Sequence, residues 1–329
     1  MPSLLESFAQ FLNPEIIGQL GKAVGLDGTT TVRGLDVAGP LLTGAMAHSA
    51  STAGGLDSLM GMVSQVSASS TPGELMKMVT GGAGAPMLSG LFGSGLSAVS
   101  GALEQNLGFN IRPLLGLAAP LVVSQISQRM SGGALDKTGV ARLLQDEQQA
   151  LVTSGGARAE MVQYALEAGR EAAAKISRYS PDQWNKLRLG PIAAATLVSA
   201  ASASGGSGTP KEAATLAGAF AELKKTTPVT SIFSLAAEKT PTASDLKSLP
   251  SDRNALLALV RESVAVVATN NAGESAAYGQ SLVDLATKVA EATKEGGFLG
   301  IGGTRISEAE QVAIDQVKAV AQPGPRSTV

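Results

Sequence analysis

Apolar positions along this chain recur at helical spacing. Ile16, Ile17, Leu20, Ala23 and Val24 fall on one face of a helix, and Met161, Ala165, Ala168, Ala172 and Ile176 form a second stripe. Ala309, Ala313, Val317 and Val320 make a third. In the second stripe Glu171 and Lys175 stand four residues apart on the outside, the spacing of an intrahelical ion pair. Residues 256–267 are apolar nearly all round, interrupted by Arg261, Glu262 and Ser263, which predicts a central, mostly buried helix. No stretch alternates with period two between hairpin turns, so strands are not expected.

The helix starts are marked by local chemistry. Asn13-Pro14-Glu15, Thr71-Pro72-Gly73-Glu74, Ser180-Pro181-Asp182-Gln183 and Thr209-Pro210-Lys211-Glu212 each place a capping side chain before a proline at the first helical position. In the last three a Glu or Gln follows three residues after the cap. Ser307-Glu308-Ala309-Glu310 has the same spacing without the proline. The cap oxygen and the returning side chain satisfy N–H groups that the helix leaves open. The expected fold is therefore all-α, a multi-helix array of helical hairpins in two helical domains.

Each domain carries a weak internal duplication. In the first half, Leu20-Gly21-Lys22-Ala23-Val24-Gly25-Leu26 precedes Val37-Ala38-Gly39-Pro40-Leu41-Leu42. Later, Leu103-Glu104-Gln105-Asn106-Leu107-Gly108-Phe109 precedes Leu117-Ala118-Ala119-Pro120-Leu121-Val122. Each reads as a helix, a glycine at the C′ position, and a second helix interrupted by proline. In the second half, residues 192–223 with a Gly/Ser turn at 204–208 parallel residues 256–289 with a turn at 270–273. Ser154-Gly155-Gly156-Ala157 marks a linker, giving domains at 1–153 and 158–321 and a frayed Pro/Gly tail at 322–329. Residues 67–71, 80–85 and 296–303 are expected loops.

Composition narrows the functional classes. Hydrophobic residues make up 44% and aromatic residues 3%, so the core is built from Ala, Leu, Val and Gly, which let helices approach closely. A net charge of −2 and a pI near 5.6 give no electrostatic reason for nucleic-acid binding. The basic pair Lys224-Lys225 has no aromatic interleaving. The absence of cysteine removes disulfides, thiolate metal sites and cysteine nucleophiles. The first residues lack the basic and apolar regions of a signal peptide. The apolar runs 113–123 and 190–203 fall short of the roughly 18 residues of a membrane span. Mean hydropathy of +0.18 then reads as small-residue packing in a soluble, cytoplasmic protein.

Candidate chemistry is sparse. The sole histidine, His48, lacks the partners of a Ser-His-Asp triad and reads as a structural or surface residue. Gly93-Ser94-Gly95-Leu96-Ser97-Ala98 fits the dinucleotide pattern, yet lacks a clear preceding strand and an acidic residue about 20 positions on. The glycine loops near Gly81 and Gly302 lack the ending of a phosphate-binding P-loop. Ser244-Asp245-Leu246-Lys247 has the form of some acyl-transfer serines without their companion motifs, and Ser244 reads as a helix cap. Asp27-Gly28-Thr29-Thr30-Thr31 offers oxygen ligands, but the twelfth position of an EF-hand would be Ala38, and a glycine turn leading to a Thr cap is favoured. No catalytic, cofactor-binding or metal-ligating residue is assigned, no cofactor is expected, and no enzyme activity is read from the chain.

The Leu4-Leu5 helix, the 17–25 helix with its glycine, Pro40-Leu41-Leu42, and residues 115–122 with Pro120 resemble the YidB-like family of uncharacterised bacterial proteins. These are packing and turn residues, so the resemblance implies a helical fold and no mechanism. Ile306-Ser307-Glu308-Ala309-Glu310 after a Gly-rich turn is similar to a helix start of the TerB-like helical domain, associated with tellurite-resistance and stress systems. That resemblance implies metal binding. The acidic Asp-Gly turn it requires is replaced by Asn270-Asn271-Ala272-Gly273 and Gly205-Gly206-Ser207-Gly208, which leaves Glu212, Glu274 and Glu310 to carry it.

The expected role is a non-enzymatic helical interaction or scaffold protein, stress-associated on the TerB-like resemblance, with a protein partner or a second copy as ligand. The Ala/Gly stripes serve equally as interfaces or as core. A peripheral membrane or envelope-associated protein is the alternative, with residues 56–63 and 87–103 lying on lipid, although neither carries the basic face usual in interfacial helices. A metal-binding TerB-like stress protein is a further alternative.

Overall fold

The computed structural model describes residues 3–66, 77, 81–201, 210–239, 241–292 and 306–322, with Lys211 by its backbone alone. All regular structure among these residues is helical. The caps expected at Thr71 and Thr209, the loops at 67–71 and 296–303, the Gly/Ser turn at 204–208 and the tail beyond Gln322 lie outside the described residues, as does Thr80 of the 80–85 loop. The chain divides into two compact units, Met1–Ala173 and Ala174–Val329.

The first unit contains α1 (Leu4–Phe11), α2 (Pro14–Val24), α3 (Gly28–Ala50), α4 (Gly55–Ser64), α5 (Gly84–Phe92), α6 (Leu96–Leu107), α7 (Arg112–Ser131) and α8 (Lys137–Ser154). Most of α9 (Gly156–Ile176) also belongs to it. The expected linker is a break between α8 and α9, with Gly155 and Gly156 both at positive φ. Beyond that break α9 stays with the first unit: a Cβ on Gly44 would meet Leu166, and one on Gly95 would lie 2.2 Å from the Gly169 carbonyl oxygen.

The duplication expected here is visible in the backbone. Gly25 ends α2 in the left-handed region and donates its N–H to the Gly21 carbonyl. Gly108 ends α6 in the same way, bonded to the Glu104 carbonyl. Each turn leads into a long helix with an internal proline, Pro40 in α3 and Pro120 in α7, and these two helices pack on each other. Their middles are buried on every side, through residues 37–47 and 118–124. On α2, Ile16 and Leu20 point inward with Gly21, while Ala23, assigned to that face from the sequence, is exposed. Residues 56–63 and 87–103 turn Leu59, Val63, Met87, Leu88, Leu96, Val99 and Leu103 into this core. Those apolar faces, expected on lipid in the membrane reading, are covered by protein.

The second unit contains α10 (Pro181–Ser199), α11 (Pro210–Thr226), α12 (Ile232–Ala236), α13 (Ala243–Ser248), α14 (Arg253–Asn270), α15 (Ala272–Ala292) and α16 (Glu308–Ala321). Central α10 packs most extensively on α14 and also on α15, α16 and α12. Helix α14, expected to be central and mostly buried, packs on that centre by one face, with Leu256, Val260, Ser263, Val264 and Val267 inward and Arg261, Glu262 and Ala265 exposed. Helix α11 packs chiefly on α15, so the two expected hairpins of this half interleave rather than standing side by side. The capping boxes at Ser180–Gln183 and Ser307–Glu310 form as expected. On α16, Ala313 and Val317 are buried with Glu310, Ile314 and Ala321, and Ala309 is exposed.

No single described helix is long and apolar enough to cross a membrane.

Candidate functional site

Among the described residues, those singled out in the sequence for their chemistry are dispersed along the helices. His48 lies exposed in the last turn of α3. Gly93–Gly95 form a short 3-10 turn between α5 and α6, so the element before the glycine pattern is a helix and the dinucleotide geometry is absent. Gly95 serves instead as the point where the α9 backbone comes close.

Two caps differ from expectation by position. At α13 the capping residue is Thr242, with Asp245 closing the box, and Ser244 sits inside the first turn. At α3 the cap is Asp27 rather than a threonine: its carboxylate accepts the Thr30 N–H at 2.9 Å and the Thr30 hydroxyl at 2.6 Å. The local sequence offered several oxygens in reach, and the ionised carboxylate at the positive end of the helix prevails.

Hydrogen bonds from the Thr30 hydroxyl and then its N–H hold Asp27 below its ordinary pKa, and those from Thr242 do the same for Asp245. A depressed folded pKa means that stability is fully present above the unfolded value and is lost as pH falls through the folded one. The melting temperature is therefore expected to drop progressively below about pH 4. Asp27→Asn and Asp245→Asn together should flatten that dependence in a series of thermal melts, and an unchanged slope would remove these caps as its source.

Glu212, Glu274 and Glu310 do not form one site. Glu310 is buried and its Oε2 accepts the Ser307 N–H at 2.8 Å and the Ser307 hydroxyl at 2.9 Å. Glu212 is buried in the first turn of α11. Among the described residues no three His, Asp or Glu side chains converge as a metal would require.

Glu274 anchors a polar constellation in the second unit. Its Oε1 is 2.5 Å from the Lys175 ammonium and accepts the Asn271 side-chain amide at 3.2 Å. Its Oε2 accepts the Ile232 N–H at 3.2 Å. Lys175 also donates to the Thr230 carbonyl at 2.9 Å. The carboxylate thus lies in the first turn of α15 and at the start of α12 together, where both helix dipoles favour negative charge. Tyr179 lies within reach of its charge and packs on Trp184, their ring centroids 5.8 Å apart. Burial, followed by the Glu274 charge, raises the Tyr179 pKa, so the phenol stays neutral. Its hydroxyl is buried and has no hydrogen-bond partner among the described residues.

The sequence did not point to this constellation. Lys175 and Glu274 are far apart in the chain, and no local periodicity links them. Chemically, the arrangement fastens Lys175, the start of α12 and the α14–α15 turn together within the second unit. Both Glu274 oxygens are engaged, so the group acts as a clasp.

Residues 6–129 match the family model of a bacterial protein of unknown function (DUF937). No curated protein and no solved structure matches the chain. The DUF937 match falls within the half that resembles the YidB-like family and supplies no residue role. Nothing in the comparisons supports the TerB-like resemblance of the second half.

Proposed function

We propose that this protein is a non-enzymatic helical scaffold that works by presenting helix surfaces to a second copy of itself or to a protein partner. The observation that carries this reading is the employment of its acidic groups. Glu147, Glu274 and Glu310 are buried or half-buried, and each accepts backbone N–H groups at a helix start. Carboxylates engaged in this way position helices and are poor proton shuttles. The surface supplies groups suited to contact: Tyr164 on α9 is 49% exposed, and aromatic side chains are enriched at interfaces. A cytoplasmic location accompanies the proposal.

Native mass spectrometry of the protein captured from its own cells, recording partners and bound metal together, tests it. Homo-oligomers or a stoichiometric protein partner are expected. A monomer carrying a stoichiometric metal ion or small molecule would overturn the scaffold reading in favour of a ligand-binding one.

A further inference from the structure

Helix α1 is joined to the rest of the first unit through a one-residue joint. It packs on α7, α3 and α8. Leu4 and Phe8 are its buried side chains. Phe8 fills a notch that exists because residue 39 is glycine; a Cβ there would lie 2.9 Å from the ring. Polar groups add to this fastening. Arg129 on α7 donates to the Ser3 carbonyl at 2.9 Å and to the Ser7 hydroxyl at 2.8 Å. The buried Glu147 on α8 accepts the Leu4 N–H, placing a negative charge at the positive end of α1.

Both helices at the joint carry their own caps. Ser3 and Glu6 form a complete box on α1, and Asn13 caps α2. Between them Leu12 adopts φ −78° and ψ 73°, and the Asn13 N–H bonds to the Phe11 carbonyl at 3.0 Å. This is an inverse γ-turn. Rotating the single ψ of Leu12 toward extended backbone breaks that bond and swings α1 away as a rigid piece, without uncapping either helix.

We propose that α1 is an exchangeable strap, leaving its own seat by rotation at Leu12 and docking in the identical seat of a second copy. The seat then recognises a short helix with a serine cap and Leu and Phe four residues apart. The Phe8/Gly39 notch sets the register, and Glu147 and Arg129 set the polarity. The exchange rests on the self-association reading above and names the surface that performs it.

Two full-length variants separate the halves of the exchange. Phe8→Asp spoils the strap and leaves the seat; Glu147→Lys spoils the seat and leaves the strap. Each alone is expected to be monomeric in native mass spectrometry, and an equimolar mixture is expected to show the heterodimer. Folded variants, checked by circular dichroism, that give no heterodimer would overturn the exchange. A labelled peptide of residues 3–13 supplies a second readout that needs only the milder Phe8→Ala chain. It is expected to bind that chain more tightly than the wild type, and equal or absent binding would also overturn the exchange. If complexes are captured from cells while both readouts are negative, the exchange falls and the scaffold reading stands. If neither complexes nor exchange are seen, both fall.

Discussion

Gly84→Ala is expected to destabilise the first unit by about 3 kcal/mol or more, the upper end of what overpacking costs. A Cβ on Gly84 would lie 1.6 Å from the Gly116 carbonyl oxygen and 2.5 Å from its carbon. Both are backbone atoms of α7, so relief requires α5 and α7 to move apart. The reason for the closeness lies four residues on from Gly116. Pro120 has no N–H to return to that carbonyl, and its ring displaces the backbone there. The Gly84 backbone then lies close against the carbonyl that proline leaves without its helical donor. Gly18→Ala is the matched control. It lies inside α2 with nothing within 4 Å of the added methyl, and should stabilise by roughly 0.5–1 kcal/mol through helix propensity alone. Denaturant titrations followed by far-UV circular dichroism compare the two. Equal midpoints for Gly84→Ala and wild type would mean that α5 and α7 are not in close contact.

Features within one helical turn could be read from the sequence. Asn13, Ser180 and Ser307 cap helices because each oxygen meets an N–H three residues on, a distance fixed by helical geometry. Gly25 and Gly108 were legible as left-handed stops, and the paired proline helices after them as a repeat. Errors arose where several polar groups compete within reach, as Asp27 does with the threonines that follow and Thr242 with Ser244. What the sequence withheld is tertiary: Lys175 with Glu274, Glu147 with the Leu4 N–H, and Gly84 against Gly116. The small-residue stripes were ambiguous for the same reason. Ala165, Ala168 and Ala172 are buried within the chain, whereas a pattern of alanines alone fits a core or an interface equally well. A usable signal did exist in the prolines. A proline within an apolar helix announces a carbonyl four residues earlier that lacks its donor, and that carbonyl needs a partner when buried.

The third internal proline makes this testable. Pro191 in α10 leaves the Leu187 carbonyl without its helical N–H, and the hydroxyl of the buried Tyr278 donates to it at 3.0 Å. The fit around this bond is tight. A Cβ on Gly190 would lie 2.9 Å from the same hydroxyl and 2.2 Å from the Ser263 hydroxyl. Burial drives the Tyr278 pKa far up, so the phenol keeps its proton and remains a donor throughout the physiological range. Tyr278→Phe preserves the ring and leaves the Leu187 oxygen unpaired, at an expected cost of about 1–3 kcal/mol. Tyr278→Ala adds the loss of the ring and is expected to cost about 3–5 kcal/mol from the cavity alone. The decisive comparison is a double-mutant cycle with Pro191→Ala, which restores an N–H four residues beyond Leu187. In that background the carbonyl has a helical donor, and Tyr278→Phe is expected to cost at least about 1 kcal/mol less than in the wild type. Trp184 lies in the same unit and is the chain's sole tryptophan, so its fluorescence during denaturation follows this core directly. Additive mutations would show that Tyr278 stabilises the unit by filling space, with its hydroxyl bond to Leu187 contributing nothing that proline made necessary.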